Sequence, residues 1–352
     1  MTTPKEHDDA QQTSGRRLVL FSLLFLVLSA AGLYTVFDRF AGRSVSFDTR
    51  LLEPTTLLAA AVLLLIYFVS DALRLYYTLR ALGHRLPLPR MVRLVFINLF
   101  FSNVTPMATG GGFAQIWYLT RQGVPVGRAT AATTIRTILA VVFIFSLTPV
   151  FLLTLPALKE HTVTGEIGAA LAVLIALYLG FFAILLFRTR WLIVPLSRLL
   201  GALHRWHLIG DEKHRRWQFK ARREMLRLSQ SFGHYLQGPR PFVLLSLFFT
   251  GTFLLSLFSF PALLIHSLDY QVDYLMTLGL LVVTTFIMYF SPTPGASGIS
   301  EGVFGSFFSG IVSGNHLILV TVSWRFLTIY LGMIVGMFVM HNELNKSRRH
   351  SR

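Results

Sequence analysis

Six apolar runs constrain this chain more than any other feature: 18–37, 56–79, 129–155, 167–187, 242–266 and 317–340. Each reaches the roughly 20 residues an α-helix needs to cross the hydrocarbon core of a bilayer. In that medium the backbone must satisfy its own hydrogen bonds, so the runs predict helices. Only 14% of residues are charged, against about 25% in a soluble domain. The mean hydropathy is +0.60. The expected fold class is an all-α polytopic membrane protein. The first run, followed within itself by Ser29-Ala30-Ala31, has some of the form of a signal peptide. It continues to Phe37 and is read as a span.

Two further apolar stretches are too short and too broken to cross. Residues 91–104 run into Pro106 and Gly110-Gly111-Gly112 before a short arm at 113–119. Residues 275–290 run into Pro292, Pro294, Gly295 and Gly298 before an arm at 302–312. Such interrupted segments predict re-entrant helical hairpins, with Pro106, Pro292, Pro294 and Gly295 turning the chain. Lys and Arg collect at residues 16–17, 80–93, 121–128, 188–240 and 346–352. Placing these on the cytoplasmic side puts both termini inside and makes the two hairpins enter from opposite faces.

That opposition suggests an internal repeat. Phe101-Ser102-Asn103-Val104-Thr105-Pro106 can be laid beside Phe290-Ser291-Pro292-Thr293-Pro294. In each copy Gly follows the Pro by four residues, as Gly110 and Gly298, and an Arg inside a span follows, as Arg136 and Arg325. Each half then reads helix, helix, hairpin, helix. Three full crossings per half forces the second copy upside down, which is a transporter architecture. The expected organisation is a disordered cytoplasmic stretch at 1–16, one transmembrane domain at 17–341 and a basic cytoplasmic tail at 342–352. The repeats fall near 17–156 and 166–341. The competing reading is that any two Gly/Pro-rich breaks look alike.

Residues 188–240 carry twelve Lys or Arg against three Asp or Glu, with apolar stripes such as Met225, Leu226, Leu228, Phe232, Tyr235 and Leu236. This predicts an amphipathic elbow on anionic lipid, each nearby cation contributing about 1 kcal/mol; a protein-binding platform is the competitor. The formal net charge of +16 is distributed between apolar runs, which argues for the membrane rule and against nucleic acid. The chain has no cysteine, so no disulfide framework, thiolate metal site or Cys nucleophile is available. His204, His207 and His214 near Asp211 have a metal-like spacing but sit among Arg and Trp and are read as solvated surface. No Walker-type loop or Ser/His/Asp context is present. No catalytic residue, metal or cofactor is expected.

At residues 98–128 and 292–308 the pattern becomes specific. Asn98-Leu-Phe-Phe-Ser-Asn103-Val-Thr-Pro106, Gly110-Gly-Gly-Phe-Ala and Arg121-Gln-Gly-Val-Pro-Val-Gly-Arg128 resemble the first signature of one family. Pro292-Thr-Pro-Gly-Ala-Ser-Gly-Ile-Ser-Glu301-Gly resembles the second. The family is that of the lysylphosphatidylglycerol synthase transmembrane region, also called flippase-like. The resemblance implies a bilayer domain moving aminoacylated or other anionic headgroups between leaflets, here in a bacterial inner membrane. The aminoacyltransferase domain fused to some members has no counterpart, so synthase activity is not carried over. Where many members have an acid after the first Gly pair this chain has Gly112-Phe113, so a paired-acid mechanism is not carried over either.

Helix N-termini at a break offer free N–H groups and a positive dipole end to an anion. Thr109 before Gly110 and Gly111, and Ser297 or Ser300 before Glu301, are expected to cap the second arms. Gly110, Gly111 and Gly298 either admit a phosphate or only turn the chain. Glu301, Arg136 and Arg325 are charges inside apolar segments, which cost at least a few kcal/mol and so are read as functional. Glu301 is expected to bind an amine, carry a proton or neutralise an Arg. Arg136 and Arg325 are expected to bind phosphate or pair with Glu301. Asp71 and Arg74 have pairing distance along one helix, and Gly332 and Gly336 suit close helix packing. The expected function is translocation of an anionic or aminoacylated phospholipid or a polyprenyl phosphate. The alternatives are a membrane enzyme such as a glycosyltransferase acting on a lipid phosphate, or a scaffold for a lipid-modifying enzyme.

Overall fold

The computed structural model describes residues 46–155 and 229–350 continuously, with isolated positions between 23 and 38 and between 173 and 227. The runs 18–37 and 167–187, and most of 188–240 with His204, His207, Asp211 and His214, therefore fall largely outside the described residues. Among those described, every regular element is a helix. In order these are α1 (Pro54–Ala81), α2 (Leu88–Val104), α3 (Thr109–Arg121), α4 (Val126–Thr154), α5 (Arg240–His266), α6 (Tyr274–Met288), α7 (Ile299–Phe308), α8 (Gly314–Arg325) and α9 (Leu331–His350). A single π-helical turn, Phe326–Tyr330, joins α8 to α9.

Among the described residues, four helices are long and apolar enough to cross a membrane: Pro54–Ala81, Val126–Thr154, Arg240–His266 and the continuous Gly314–Glu343. They match four of the six expected runs to within three residues at either end. Helices α2 and α3, and likewise α6 and α7, flank short breaks where the sequence predicts them.

The chain forms two compact units. One comprises Met1–Leu73, Leu86–Gly123 and Phe249–Arg352, the other Arg74–Arg85 and Val124–Phe248. Each draws on both halves of the chain, so a compact unit is not a sequence repeat.

In the first unit α9 packs along α2 through glycines. A Cβ on Gly332 would meet Leu99, and one on Gly336 would meet the backbone of Phe96. Arg93 pairs with Glu343 at 3.3 Å, so numbers rise along one helix as they fall along the other and the packing is antiparallel. Without a hydrophobic force between helices in lipid, such close van der Waals contact is what holds them. Tyr67 stacks on Phe253 and meets Phe260 edge-on, extending this core.

In the second unit Phe232 and Tyr235 are buried against Ala81, Ile135, Ile138, Leu139 and Val243. Both belong to the stripe the sequence assigns to lipid. The Tyr235 hydroxyl hydrogen-bonds the Ser246 hydroxyl, and a buried phenol needs such a partner. This end of the segment thus docks on protein, while Leu236 is exposed.

Candidate functional site

The site is built from the two breaks, both in the first unit, where they pack against each other and the second also against α2. Each has the sequence Thr-Pro-x-Ala, and the backbones match. Thr105 and Thr293 are extended, with φ/ψ of −101°/144° and −81°/149°. Met107 and Gly295 take φ of 53° and 57°, and Ala108 and Ala296 take 54° and 53°. In both, the Ala N–H donates to the Thr carbonyl, at 3.3 Å and 3.1 Å. Proline followed by positive φ is the order of a type II turn, whose third position favours glycine. Gly295 meets that preference. Met107, Ala108 and Ala296 do not, and an L-residue in that region costs about 1–2 kcal/mol. Strain of this kind collects at functional sites.

The caps differ from those expected. Thr109 does not cap α3: its hydroxyl donates to the Pro106 carbonyl at 3.0 Å, and the N-cap is Ala108, in the left-handed region. The capping oxygen comes from Thr105, which accepts from the Gly110 N–H at 2.8 Å. Neither Ser297 nor Ser300 caps α7. The N-cap is Gly298 at φ 84°, and its N–H is taken by the Glu301 carboxylate at 2.7 Å. Since Gly298 has no side chain to reciprocate, this is the glutamate half of a capping box. In both cases the N-cap residue has positive φ, and the capping oxygen comes from elsewhere, from Thr105 before the cap of α3 and from Glu301 after that of α7.

Glycines 110 and 111 close the first hairpin. A Cβ on Gly110 would press on Thr105 and one on Gly111 on Ser102 and Asn98, so glycine is required by the approach of α3 to α2. Beside this seam Gln115 donates to the Asn98 side-chain oxygen. Met107 and Phe113 at the tip are exposed. The second break is the opposite: Ser291, Pro294, Ala296, Ser297 and Ser300 are buried, with only Pro292 outward. Its own hydroxyls hold it, Thr293 donating to the Ser297 carbonyl at 2.9 Å.

Behind the second break Glu301 and Arg325 lie together, both at 0% exposure. Arg325 Nε is 2.8 Å from Glu301 Oε1. The two are close enough for an ion pair but not aligned as a hydrogen bond, so Glu301 Oε1 and Arg325 Nε and Nη1 remain without hydrogen-bond partners. Arg325 Nη2 donates to the Gly295 carbonyl at 3.0 Å and to Ser297 Oγ at 3.3 Å. Glu301 Oε2 also accepts from Ser300 Oγ at 2.8 Å. The charges thus grip both sides of the strained turn. One turn away, Phe304 stacks on Phe308 and on Trp324, with centroids 4.4 Å and 4.8 Å apart, walling the pair with apolar surface. Arg325 ends α8 where the π-helical turn begins, and such turns favour functional positions. Arg136 is buried in α4, within the second unit.

A second polar cluster, also in the first unit, eluded the sequence reading. Arg50 binds Asp48 at 2.6 Å and Asp269 at 2.7 Å, and donates to the Leu268 carbonyl at 3.1 Å. His316 Nε2 lies 3.1 Å from Asp48, and its Nδ1 lies 2.9 Å from the Tyr270 hydroxyl. Arg50 holds the Asp48 carboxyl well below the usual carboxylate range, chiefly by its side-chain hydrogen bond. The same contact raises the Arg50 guanidinium. This clasp ties the approach to α1 to the loop before α6 and to the first turn of α8, at the opposite end of the Gly314–Glu343 helix from Glu343.

Apolar helices of spanning length, two broken helix pairs and a buried ion pair define a polytopic helical membrane protein with a polar interior site. Residues 19–336 match the family described as the lysylphosphatidylglycerol synthase TM region. The chain belongs to that family. It is also similar to a UPF0104 membrane protein of Archaeoglobus fulgidus, 24% identical over 298 residues that cover 83% of this chain and 88% of the relative.

Proposed function

We propose that this protein is a lipid translocase that carries a phosphate-bearing or aminoacylated headgroup between leaflets past the two helix breaks. The observation that carries the reading is their convergence: two strained Thr-Pro-x-Ala turns of the same conformation pack together, and a fully buried Glu301–Arg325 pair grips one of them. A buried charge pair is weak evidence for stability, since apolar replacements often do as well. Polar and ionisable groups in a spanning protein mark substrate paths.

In this reading α2–α3 and α6–α7 are re-entrant hairpins, the two halves are inverted repeats, and both termini are cytoplasmic in a bacterial inner membrane. Glu301 and Arg325 recognise the headgroup when the second break opens. Gly298 and Ser300 shape the carboxylate, while Gly110, Gly111 and Thr109 form the facing hairpin. Arg136 supplies a buried cation for the same chemistry within its own unit. Membrane lipids are the partners. The test is a leaflet-accessibility assay in proteoliposomes with labelled neutral, anionic and aminoacylated phospholipids. Headgroup-selective movement above protein-free vesicles is expected. Failure of every lipid to move, with the protein correctly inserted, refutes the reading.

A further inference from the structure

The Glu301–Arg325 pair has a consequence for which headgroups cross and with what. Its carboxylate and guanidinium sum to zero charge in a site without solvent contact, and each keeps unfilled hydrogen-bonding capacity, at Oε1 on one side and at Nε and Nη1 on the other. Separating them around a headgroup exposes one cation and one anion to that headgroup. An uncompensated charge buried there costs several kcal/mol. We propose that the pair imposes a neutrality rule: a monoanionic phosphate headgroup crosses together with one proton, whereas a zwitterionic ammonium-phosphate headgroup crosses without one. The inference rests on the translocase reading and adds its coupling.

The two cases follow from chemistry. Once the pair separates, a phosphodiester oxygen accepts a charge-assisted hydrogen bond from one of the unfilled Arg325 donors, Nε or Nη1. With a monoanionic lipid, Glu301 is then left as an unpaired buried anion. A proton from the aqueous phase on the loading side bonds to its carboxylate, and the site is again neutral. On the far side the lipid leaves, Glu301 returns the proton to water and the ion pair re-forms. One proton and one lipid have crossed, with no net charge moved. With a zwitterionic lipid, the ammonium faces Glu301 Oε1 while the phosphate faces Arg325. Neutrality holds, and no proton is taken.

Among the described residues, the remaining ionisable groups on the helices packed against α7 are Tyr274, with Asp273 just before it, at the start of α6, and His316 near the start of α8. These three have partners elsewhere, and the charge that meets the Glu301 carboxylate is Arg325. Glu301 is also held by Gly298 N–H and Ser300 Oγ on its own element, groups that carry no charge.

The experiment is a lipid distribution measured under a pH gradient. Phosphatidylcholine vesicles containing the full-length protein carry a trace of labelled phosphatidylglycerol or of labelled phosphatidylethanolamine, with one pH unit imposed across the membrane and protein-free vesicles alongside. At equilibrium the anionic lipid should favour the alkaline leaflet by about tenfold, the ratio for one proton per lipid. The zwitterionic lipid should remain evenly distributed. Any phosphatidylglycerol that Glu301→Gln still moves should show no bias, and if that variant fails to fold or to move lipid, the comparison of the two lipids in the unaltered protein still decides. Both lipids moving to the same even distribution, or to the same bias, overturns the rule and leaves the translocase reading standing. Neither lipid moving overturns both.

Discussion

The glycine seam between α2 and α9 gives the most quantitative prediction. In Gly336→Ala the new Cβ would fall against the Phe96 backbone, with the carbonyl carbon at 2.9 Å and the oxygen nearer still, and with Phe100 Cβ at 3.0 Å. Ordinary contact begins near 3.4 Å, so clearing the Phe96 carbonyl oxygen requires α9 to withdraw by roughly 1 Å. Backbone cannot rotate away as a side chain can. A radial gap of that size forfeits about a quarter to a half of each dispersion contact along the seam, and overpacking generally costs about 1–3 kcal/mol. Gly336→Ala should therefore destabilise by about 2–3 kcal/mol. Gly332→Ala meets the end of the Leu99 side chain at 2.7 Å, which can turn, and should cost about 1 kcal/mol or less. Gly302→Ala, in α7 with nothing within 4 Å, should stabilise by about 0.5–1 kcal/mol through helix propensity. Thermal unfolding in one detergent, followed by tryptophan fluorescence, ranks the three. Equal melting temperatures for Gly336→Ala and Gly302→Ala would refute close packing at this seam.

Three further outcomes follow from the polar contacts. Glu301→Ala leaves Arg325 buried without its counter-charge and should lose about 3–5 kcal/mol. Adding Arg325→Met should recover more than half, and simple additivity in the denaturation cycle would contradict the pairing. Thr105→Ala removes the oxygen that accepts from Gly110 N–H and should cost about 1 kcal/mol, while Thr105→Ser retains stability, measured by the same unfolding assay. The folded Asp48 carboxyl titrates below its ordinary value of 3.8, so the unfolded chain binds more protons as pH falls. Its contribution is present above that value and is lost progressively below it. Asp48→Asn should flatten the acid side of a melting-temperature profile, and an unchanged profile would remove Asp48 from it.

How much of this was legible depends on the range over which each signal acts. Hydropathy is a local signal, and the four described spans and both broken segments fall where the apolar runs put them. The Thr-Pro dipeptides at Thr105 and Thr293 announced breaks because proline fixes its own φ and restricts the residue before it. Gly332 and Gly336 announced close packing, because a Gly-x-x-x-Gly spacing places both on one helical face. The caps differ from expectation because Ala108 and Gly298 take the cap positions with positive φ, which no preference of Ala signals. That turned capping over to Thr105 and Glu301. The choice between Glu301 and phosphate for Arg325 needed a contact between two separate helices. The Asp48–Arg50–Asp269–His316 clasp spans still more of the chain, and periodicity carries no information about it. Nor did apolar spacing reveal that Phe232 and Tyr235 bury themselves in protein, since an amphipathic stripe fits a membrane surface and a helix bundle equally well.

The measurement that tests the lipid path most directly uses the absence of native cysteine. In Ser297→Cys the thiol replaces the hydroxyl that accepts from Arg325, in a buried turn that opens for the headgroup on the proposed path. Headgroup movement in proteoliposomes would be followed before and after reaction with a small thiol-directed reagent, with the extent of modification read by mass. The account predicts that the thiol reacts during lipid movement and that movement ceases in proportion to modification. Undiminished lipid movement with the introduced thiol fully modified would contradict it.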